Sequence, residues 1–540
     1  MMSLLRSGPA AAAAFVRARV VWPVGPAAAA RMGVAVLRNG SNPAVLLSVS
    51  AARWPDRTAV VDERGTLTYA ELSALADAIA GGLRTDYGIG PGAAVAVLCR
   101  NSRYYAAGLF GVLATGADVV LLNTGFAAET LARSLTGQPV AAVLCDAEFV
   151  PVVRAAGYEG PVVICYAERE AAGDSVAAMV RRGLRAPVQV RAGRMVILTS
   201  GTTGTPKGVP RDPAASAVVG TATSLLRRTG LRTGAAVAVE IPLFHGFGLG
   251  VLLLGIALGG KLILRRHFDA AATLAAVSEH RVRMLAVVPV MLQRILAVPV
   301  ADRARFDRSS LSVVLCGAAP LRPALATEFI EAFGEVLYNG YGSSEVGIGS
   351  LATPADLRGA PGTVGRPVLG TEVRILDDAG RRLPPGVVGH VFVGSALGFT
   401  GYTGGGDKSR VDGLINSGDL GSLDAHGRLF LAGREDDMIV SGGENVYPQE
   451  VEDVVAAHPE LCDVAVIGVD DDEFGQRLAA FAVPEPGCAP SVDDIREYLR
   501  HNVSRFQQPR DIRLVAEIPR NPSGKVDRPA LRSLLLQPPG

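Results

Sequence analysis

The stretch Thr199-Ser-Gly-Thr-Thr-Gly-Thr-Pro-Lys-Gly208 directly follows an apolar run at residues 195–198. Its glycines let backbone N–H groups approach an anion, its hydroxyls donate further hydrogen bonds, and Lys207 adds a positive charge. The apolar run has the character of a buried strand, so the loop is expected at the end of a sheet. This combination predicts a phosphate-binding loop rather than a flexible surface linker.

The spacing of this loop excludes two common phosphate-binding motifs. A P-loop has a glycine directly before its lysine and a hydroxyl residue directly after it, but Lys207 lies between Pro206 and Gly208. The dinucleotide-binding register G-x-G-x-x-G is also absent, because Gly201, Gly204 and Gly208 are spaced by three and four residues. The loop therefore indicates a different phosphate chemistry.

Length and composition predict several compact units with a large core. The chain has 540 residues, of which 49% are hydrophobic, and its length suggests roughly three to four units. A net charge of +1 creates no overall electrostatic attraction for nucleic acid, so no nucleic-acid partner is expected. The six scattered cysteines fit a reducing cytoplasm, and the seven histidines lack a metal-ligand spacing. Binding of a magnesium ion that a nucleotide brings to the protein stays open as an alternative.

Residues 1–53 differ from the rest of the chain. They contain six arginines and no acidic residue, and prolines interrupt their apolar pieces. Neither a membrane-spanning helix nor a signal peptide is predicted from this pattern. We interpret the segment as a basic, partly helical extension. Contact with an anionic membrane, packing on the following domain and disorder stay open as alternatives.

The remainder predicts an α/β protein that ends in a small separate module. Short apolar runs alternate with longer Ala/Leu-rich stretches over residues 54–432, as in parallel α/β sheets. After Pro361, closely spaced runs with turn signals predict a mostly antiparallel β unit, and a small α+β module begins near Gly433. The runs interpreted as strands are 95–99, 117–122, 141–145, 162–165, 195–198, 313–316, 371–376, 389–393, 428–431, 464–467 and 477–483.

Three further polar clusters carry weak signals of their own. Tyr338-Asn-Gly-Tyr-Gly-Ser-Ser-Glu-Val-Gly347 combines an aromatic ring that can stack on a base with a carboxylate that can hold a cation. Ser417-Gly-Asp-Leu-Gly421 sets an aspartate in a tight turn, where it can accept hydrogen bonds from both hydroxyls of a ribose. Asn521-Pro-Ser-Gly-Lys-Val-Asp-Arg528 places one lysine in a loop. In isolation, a polar turn explains the first cluster as well as a binding site does, while the aspartate is more simply a turn former and the lysine a solvated side chain.

In this order and at these separations, the motifs together resemble the adenylate-forming (ANL) superfamily of acyl-CoA synthetases, adenylation domains and beetle luciferases. The resemblance covers about residues 54–531. It implies a large N-terminal domain, 54–435, with two α/β sheets and a distorted β-barrel, followed by a small mobile α+β domain, 436–540. It also implies two reactions: ATP and an acid form an acyl-adenylate and pyrophosphate, and a thiol then displaces AMP.

The resemblance assigns roles to individual residues. Lys525, Glu345 and His245 are implied as catalytic, Thr199 and Glu345 as magnesium ligands, and Asp436 as the hinge. Tyr341 would stack on adenine, and Ser344 stands where the family more often has threonine. The implied ATP- and AMP-binding residues are Thr199, Ser200, Gly201, Thr202, Thr203, Gly204, Thr205, Lys207, Gly317, Ala318, Ala319, Asn339, Gly340, Tyr341, Gly342, Ser343, Ser344, Asp419, Arg434 and Lys525. The implied CoA-binding residues are Ser441, Gly442, Gly443 and Glu444.

The segment Pro242-Leu-Phe-His-Gly-Phe-Gly248 bears on the substrate. His245 is interpreted either as a core histidine or, within the resemblance, as a residue between the acyl pocket and the thiol tunnel. No acidic residue occurs over residues 241–266, where amino-acid-activating members usually carry an aspartate, so a neutral apolar acid is favoured. The nearly charge-free run 241–260 is interpreted as a buried core or tunnel-wall helix.

We therefore expect a cytoplasmic fatty acid–CoA ligase that uses ATP and Mg²⁺ and acts on a medium- or long-chain fatty acid. The extension leaves peripheral membrane contact open, and the oligomeric state is not predicted. A fatty acyl-AMP ligase, or another adenylating enzyme that passes the acyl group to a carrier protein, is the main alternative. A luciferase-like oxidase and a non-catalytic nucleotide sensor are the others.

Overall fold

The chain was analysed as a computed structural model, which describes residues 2–40, 42–169, 173–184, 193–199, 207–211, 215–395, 397–399, 401–403, 405–435, 439–441, 444–471, 475–504 and 507–536. The helices are α1 (Met2–Arg17), α2 (Pro26–Asn39), α3 (Val45–Arg53), α4 (Tyr69–Tyr87), α5 (Arg103–Ala114), α6 (Ala128–Gly137), α7 (Val150–Ala155), α8 (Val176–Arg182), α9 (Ala215–Thr229), α10 (Gly246–Ala257), α11 (Ala270–His280), α12 (Pro289–Leu296), α13 (Val300–Arg303), α14 (Pro323–Phe333), α15 (Pro354–Gly359), α16 (Pro448–Val455), α17 (Val492–Asn502) and α18 (Arg528–Leu535).

The strands are β1 (Thr58–Asp62), β2 (Gly65–Thr68), β3 (Ala94–Leu98), β4 (Asp118–Leu121), β5 (Ala142–Cys145), β6 (Val162–Ile164), β7 (Met195–Thr199), β8 (Lys207–Arg211), β9 (Ala236–Val239), β10 (Lys261–Leu264), β11 (Met284–Val287), β12 (Val313–Gly317), β13 (Leu337–Ser343), β14 (Gly347–Ala352), β15 (Thr363–Pro367), β16 (Thr371–Leu376), β17 (Gly389–Ser395), β18 (Arg410–Val411), β19 (Leu414–Leu423), β20 (Leu429–Arg434), β21 (Ile439–Ser441), β22 (Glu444–Val446), β23 (Leu461–Asp471), β24 (Gly475–Pro484) and β25 (Asp511–Leu514). Every run interpreted as a strand from the sequence overlaps one of them.

Two mainly parallel sheets form the body of the large domain. One has the strand order β6-β5-β3-β4-β7-β8, and only β8 runs antiparallel to its neighbour. The second contains the parallel series β13-β12-β11-β9-β10-β1. Helix α5 contacts strands of both sheets and is buried along most of its length. These buried layers explain the continuous apolar runs in the sequence.

The antiparallel β unit is continuous with the second parallel sheet. Strand β14 pairs antiparallel with β13, and the path continues through β15, β20, β19 and β17 to β16. The predicted α/β class with an added β unit is confirmed. The antiparallel pairing begins at β13 and β14, before Pro361, where the sequence texture changes.

The small C-terminal module has its own five-stranded sheet, with the order β22-β21-β24-β23 and β25 paired to β24. Its helix α17 begins with a capping box, in which Ser491 and Asp494 satisfy each other's backbone N–H groups. Apolar residues of the strands and of α16 and α17 form its core. The module is therefore an independent packing layer after the large domain.

The N-terminal segment is helical and packs on the large domain. Helix α1 contacts α9, and the Ala18 carbonyl that follows α1 accepts a hydrogen bond of 2.9 Å from the Thr233 N–H. Asn42 donates to the Leu113 carbonyl at 2.6 Å, and Ser50 in α3 donates to the Ile256 carbonyl at 2.8 Å. Of the described helices, none is both long enough and apolar enough to cross a bilayer.

Candidate active site

The phosphate loop is represented in the structure by its two ends. Thr199 ends β7 and lies opposite Lys207 at the start of β8, in antiparallel register. The residues between them, Ser200, Gly201, Thr202, Thr203, Gly204, Thr205 and Pro206, lie outside the described residues. The hairpin thus places Lys207 next to the end of a buried parallel strand, as the sequence predicts for a phosphate-binding loop.

Lys207 faces a tyrosine that also holds Glu345. The Lys207 ammonium lies 5.1 Å from the centre of the Tyr402 ring, within cation–π range. The Tyr402 hydroxyl donates to Glu345 Oε1 at 2.9 Å, and the Ser343 hydroxyl donates to Glu345 Oε2 at 2.9 Å. Burial, followed by the charge of Glu345, raises the pKa of Tyr402 above its ordinary range. Through Tyr402, the structure therefore brings Glu345, the predicted cation-binding carboxylate, close to Lys207 of the predicted phosphate-binding loop.

Two groups of residues that the resemblance implies as ATP- and AMP-binding, 317–319 and 339–341, lie on neighbouring strands. Gly317 ends β12 and pairs with Gly340 in β13, so closely that a Cβ on Gly317 would lie 2.8 Å from the Gly340 carbonyl oxygen. Ala318 follows with a φ of +68°, a left-handed conformation that costs an alanine about 1–2 kcal/mol. Strain of this kind is typical of ligand-binding turns. Ala319 and Gly342 are accessible beside these positions.

Tyr341 and Asp419 form a direct pair. The Tyr341 hydroxyl donates to Asp419 Oδ2 at 2.6 Å, and Asp419 lies opposite Arg434 in the β19–β20 ladder. Burial, with Asp419 second, raises the pKa of Tyr341 well above its usual range. Asn339, which the resemblance implies as an ATP- and AMP-binding residue, has its side chain buried in the sheet, where it donates to the Thr363 carbonyl at 3.4 Å.

A lysine that the motif analysis did not single out lies at the Asp419 turn. The Lys408 ammonium donates to the Ser417 carbonyl at 2.9 Å. A Cβ on Gly418 would lie 2.9 Å from the Lys408 nitrogen and 3.4 Å from an Arg434 nitrogen. Two cations therefore flank the turn that carries Asp419, which suits an anionic ligand. Tyr402 and Lys408 both lie in the stretch Gly401–Lys408, and their position among glycines was the available signal.

His245 is the N-cap residue of α10. Its Nδ1 accepts a hydrogen bond of 3.3 Å from the Phe247 N–H, which fixes the ring at the start of the helix. The pKa of His245 is lowered to about 4, first by burial and second by the positive charge of Lys525. The histidine is therefore neutral near pH 7 and lies within electrostatic reach of Lys525.

The loop that carries Lys525 is docked on the large domain. Asn521 Oδ1 accepts hydrogen bonds from the N–H groups of Ser523 at 3.0 Å and Lys525 at 3.1 Å. A Cβ on Gly524, whose φ is +81°, would lie 2.8 Å from a methyl carbon of Val288, just after β11. A Cβ on Gly125 would lie 2.5 Å from a ring carbon of Pro522, so these two residues are also in close contact. The small module thus presents Lys525 to the ends of the parallel strands.

Asn101 holds the loop that leads to His245, and the sequence analysis did not select it. Its side-chain N–H groups donate to the carbonyls of Val239 at 3.1 Å and Ile241 at 2.9 Å. Its Oδ1 accepts a hydrogen bond of 2.9 Å from the Leu243 N–H. Asn101 follows β3 of the first sheet, whereas the loop follows β9 of the second. One buried amide therefore ties the two sheets together beside the site.

The predicted CoA-binding residues lie on a hairpin of the small module. Ser441 and Glu444 are paired across β21 and β22. Gly442 and Gly443 between them lie outside the described residues, as does the predicted hinge residue Asp436. Lys525 interacts electrostatically with His245 in this structure.

The strand order explains why these groups converge. Strands β13, β12, β11 and β9 are adjacent and parallel, so their carboxyl ends share one edge of the sheet. Strand β12 ends at Gly317, Val288 directly follows β11, and His245 lies in the loop after β9. Tyr341 lies near the end of β13. Nucleotides bind at such edges in α/β proteins. Fold and site together define a two-domain α/β enzyme of the nucleotide-binding class.

Comparison with known proteins places the chain in one family. Residues 47–403 match the AMP-binding enzyme family, and residues 450–525 match the AMP-binding enzyme C-terminal domain. The chain therefore belongs to the AMP-binding enzyme family, which agrees with the resemblance drawn from its motifs.

Its relatives differ in the acid named. A feruloyl-CoA synthase from Amycolatopsis is 33% identical over 484 residues, covering 88% of this chain and 96% of the relative. A fatty acid–[acyl-carrier-protein] ligase from Streptomyces coeruleorubidus is 32% identical over 502 residues, covering 90% and 95%. An anthranilate CoA ligase solved with anthranoyl-AMP has a TM-score of 0.82 at 27% identity, over 91% of this chain and 97% of that chain.

Proposed function

We propose that this protein activates a carboxylic acid with ATP and transfers the acyl group to a thiol. The observation that carries the proposal is the docking of the Lys525 loop against Val288. In this position the positive charge of Lys525 lowers the pKa of His245. His245 lies at the strand edge that also carries Tyr341 and Gly317. An ammonium group at this place can neutralise charge between a carboxylate and an α-phosphate. Membership of the AMP-binding enzyme family supports the same reaction class.

In the first step, a carboxylate oxygen attacks the α-phosphorus of ATP and pyrophosphate leaves. Lys525 would bridge the two reacting groups, because its charge is most valuable where negative charge accumulates. Lys207 and the Thr199–Lys207 hairpin would hold the outer phosphates. Tyr341 would stack on adenine, while Asp419 and Arg434 would bind the ribose hydroxyls. Neutral His245 would line the acyl end without adding a charge beside the substrate.

The residues present fit a magnesium ion brought by ATP. Among the described residues there is no group of three or more acidic, histidine or cysteine side chains that could hold a metal alone. Magnesium usually takes one or two protein carboxylates together with phosphate oxygens and water. Glu345 and the hydroxyl of Thr199 would supply the protein oxygens, and the ion would neutralise charge on the leaving pyrophosphate.

In the second step, a thiol sulfur attacks the acyl carbonyl and AMP leaves. Lys525 has no role in this step, so we propose that the small module rotates about Asp436 and brings Ser441, Gly442, Gly443 and Glu444 toward the thiol. We propose free CoA as the acceptor. A carrier protein is the alternative, and the carrier-protein ligase among the relatives supports it.

We propose a medium- or long-chain fatty acid as the substrate. Residues 241–266, which include α10 and β10, have no acidic side chain, which disfavours a substrate with an ammonium group. Phe247, Leu253 and Leu254 of α10 are partly exposed, so the helix offers apolar surface beside His245. The fatty acid named for the Streptomyces relative supports this class.

An aromatic acid is the second candidate. The feruloyl-CoA synthase at 33% identity favours it, and so does the close approach of Phe247 to Gly317, where a Cβ would lie 3.2 Å from the ring. An aromatic ring at that point can stack on a flat substrate as well as border an alkyl chain.

A panel of acids tests the proposal. The purified chain is supplied with ATP, Mg²⁺ and either an alkanoate series or ferulate and related aromatic acids, and pyrophosphate release is measured. Thioester formation is then followed with CoA and with an acyl carrier protein. Highest kcat/KM for longer alkanoates, with CoA consumed, is expected. Pyrophosphate release without CoA consumption would support adenylation but contradict CoA as the acyl acceptor. Thioester formation on the acyl carrier protein would then identify that protein as the acceptor. No acid-dependent release would refute the proposal.

A further inference from the structure

Exposed apolar side chains are concentrated in the N-terminal segment. Of the 13 large hydrophobic side chains that are exposed among the described residues, six lie between residues 16 and 37: Val16, Val21, Trp22, Val34, Val36 and Leu37. Leu37 is 82% exposed and Trp22 is 54% exposed. Such a concentration marks an interaction surface, because single exposed apolar residues are normally scattered. We call residues 16–38 the N-terminal apolar surface.

Helix α2 carries three of these six side chains, Val34, Val36 and Leu37. Its inner side faces α3, where Ala35 is its one buried residue, and its outer side carries Val34 and Leu37. Arg31 and Arg38 are seven residues apart and therefore lie on one line along the helix, at the edge of the apolar face. An apolar face bordered by arginines is the pattern of a helix that lies in a membrane interface.

The charge of the segment is one-sided. The first acidic residue of the chain is Asp56, whereas six arginines precede it. Because the whole chain has 53 basic and 52 acidic residues, the remainder has 47 basic residues against the same 52 acidic ones. Arg17, Arg19, Arg31 and Arg38 are exposed, and none has an ion pair with an acidic side chain in the described part of the chain. Arg31 donates a hydrogen bond of 3.1 Å from Nε to the Ala52 carbonyl of α3, and this neutral acceptor leaves its positive charge uncompensated.

A tryptophan lies beside this charge. The Arg19 guanidinium is 5.5 Å from the centre of the exposed Trp22 ring, in the connection between α1 and α2. Tryptophan is enriched at the level of lipid headgroups, where its ring meets both apolar and polar groups. The flanking segments are held on the large domain through Ala18 and Ser50, so the surface has a fixed base.

We propose that the N-terminal apolar surface binds a bilayer that contains anionic phospholipids, with α2 lying in the interface plane. The arginines pair with lipid headgroups, and Trp22, Val34 and Leu37 enter the outer acyl region. Charge complementarity selects this partner, because the segment is uniformly basic. The family match begins at residue 47, so this inference goes beyond the proposed catalytic function and does not depend on it.

Vesicle sedimentation with the full chain tests the inference. Vesicles of phosphatidylcholine alone are compared with vesicles that also contain phosphatidylglycerol, at low and high salt. Binding to the anionic vesicles is expected and should weaken with salt. The double substitution R31Q/R38Q should weaken it about thirtyfold, at about fivefold per arginine. V34S/L37S should weaken it roughly tenfold at either salt concentration.

Matched controls replace similar residues elsewhere. R305Q/R532Q removes two exposed arginines and V387S/V388S removes two exposed valines, and both should bind vesicles like the unmodified chain. Equal binding to both vesicle types, or equal losses in the controls, would overturn the inference. Dissociation of an oligomer by R31Q/R38Q in sedimentation velocity, without vesicle binding by the unmodified chain, would instead make this surface a contact between copies. Unchanged acid-dependent pyrophosphate release in V34S/L37S checks that the variant is folded.

Discussion

The position of Lys525 depends on contacts made by its neighbours. Asn521 accepts two backbone N–H groups of the loop, Gly524 adopts a φ that favours glycine, and Pro522 packs on Gly125. These contacts orient the loop before any substrate binds, which reduces the ordering cost at the reacting centre. In the proposed mechanism, this loop supplies the charge of Lys525 to the adenylation step and then moves away with the small module.

Lys525→Ala should abolish adenylation while leaving thioester formation from supplied acyl-adenylate within a few-fold. It should also raise the pKa of His245, because a nearby positive charge is removed, although burial should keep that pKa below its ordinary 6.5. Half-reaction rates and NMR titration of the histidine ring check both effects. Lys525→Arg is the charge-conserving control for the titration. Equal loss of both half-reactions would contradict the role.

Asn101→Asp should misplace the His245 loop. Aspartate keeps the acceptor for the Leu243 N–H but cannot donate to the carbonyls of Val239 and Ile241. We expect kcat/KM for adenylation to fall roughly tenfold to a hundredfold, since displacements of about 1 Å have such effects. Asn502→Asp removes a similar donor at the end of α17 and serves as control. An unchanged kcat/KM and His245 chemical shift in Asn101→Asp would exclude a positioning role.

At the scale of elements, the end of β9 carries a buried carboxyl group. Glu240 is 5% exposed, and its Oε1 accepts a hydrogen bond of 3.0 Å from the Thr273 hydroxyl of α11. Its other oxygen, Oε2, is buried and has no hydrogen-bond partner among the described residues. Burial raises the pKa of Glu240 to about 7. The strand that leads to His245 therefore ends in a group that is partly protonated near neutral pH.

Glu240→Gln should stabilise the protein at alkaline pH. Because the folded pKa lies above the unfolded value of 4.5, the native state binds the proton more tightly, and stability from this group falls as pH rises from about 4.5 to 7. The variant cannot ionise, so its free energy of unfolding at pH 8 should exceed that of the unmodified chain by on the order of 2 kcal/mol. Denaturant unfolding at pH 5 and pH 8 measures this. The exposed Glu129→Gln is the control, and a pH-independent difference would contradict the assignment.

At the scale of the whole molecule, the small module touches the large domain at a second place. The carbonyl of Cys462 in β23 accepts hydrogen bonds from the side chains of Gln293 in α12 and Arg322 before α14. These contacts and the Lys525 loop belong to one relative orientation of the two domains. If the module rotates between half-reactions, the contacts must break.

Gln293→Ala/Arg322→Ala should therefore slow adenylation several-fold and leave thioester formation from acyl-adenylate unchanged. The substitutions remove hydrogen bonds from one orientation only, so they shift the population away from it. Arg294→Ala changes an exposed neighbour on α12 and is the matched control. Single-turnover rates of the two half-reactions distinguish the outcomes, and equal slowing of both would exclude an orientation-specific contact.

Much of the fold and part of the site were accessible from local sequence. Strands such as β5 and β12 are continuous apolar runs because both faces of a parallel sheet are buried. Glycine turns, Asp419 and Lys525 were predicted from short motifs, and their roles in binding and catalysis stay predictions. Tyr402, Lys408 and Asn101 were missed, since their roles come from partners on distant strands and their own surroundings have no periodic signal.

The sequence by itself determined the α/β class, the separate C-terminal module and the identity of the chemical groups, because local periodicity and turn chemistry are written in neighbouring residues. Only the tertiary structure decided that Tyr341 holds Asp419, that Tyr402 joins Lys207 to Glu345, and that the Lys525 loop docks beside His245. These pairings depend on strand order and on how two domains meet. Strand order and domain contacts are both set by contacts between residues that are distant in the sequence, and no short stretch of sequence specifies such contacts.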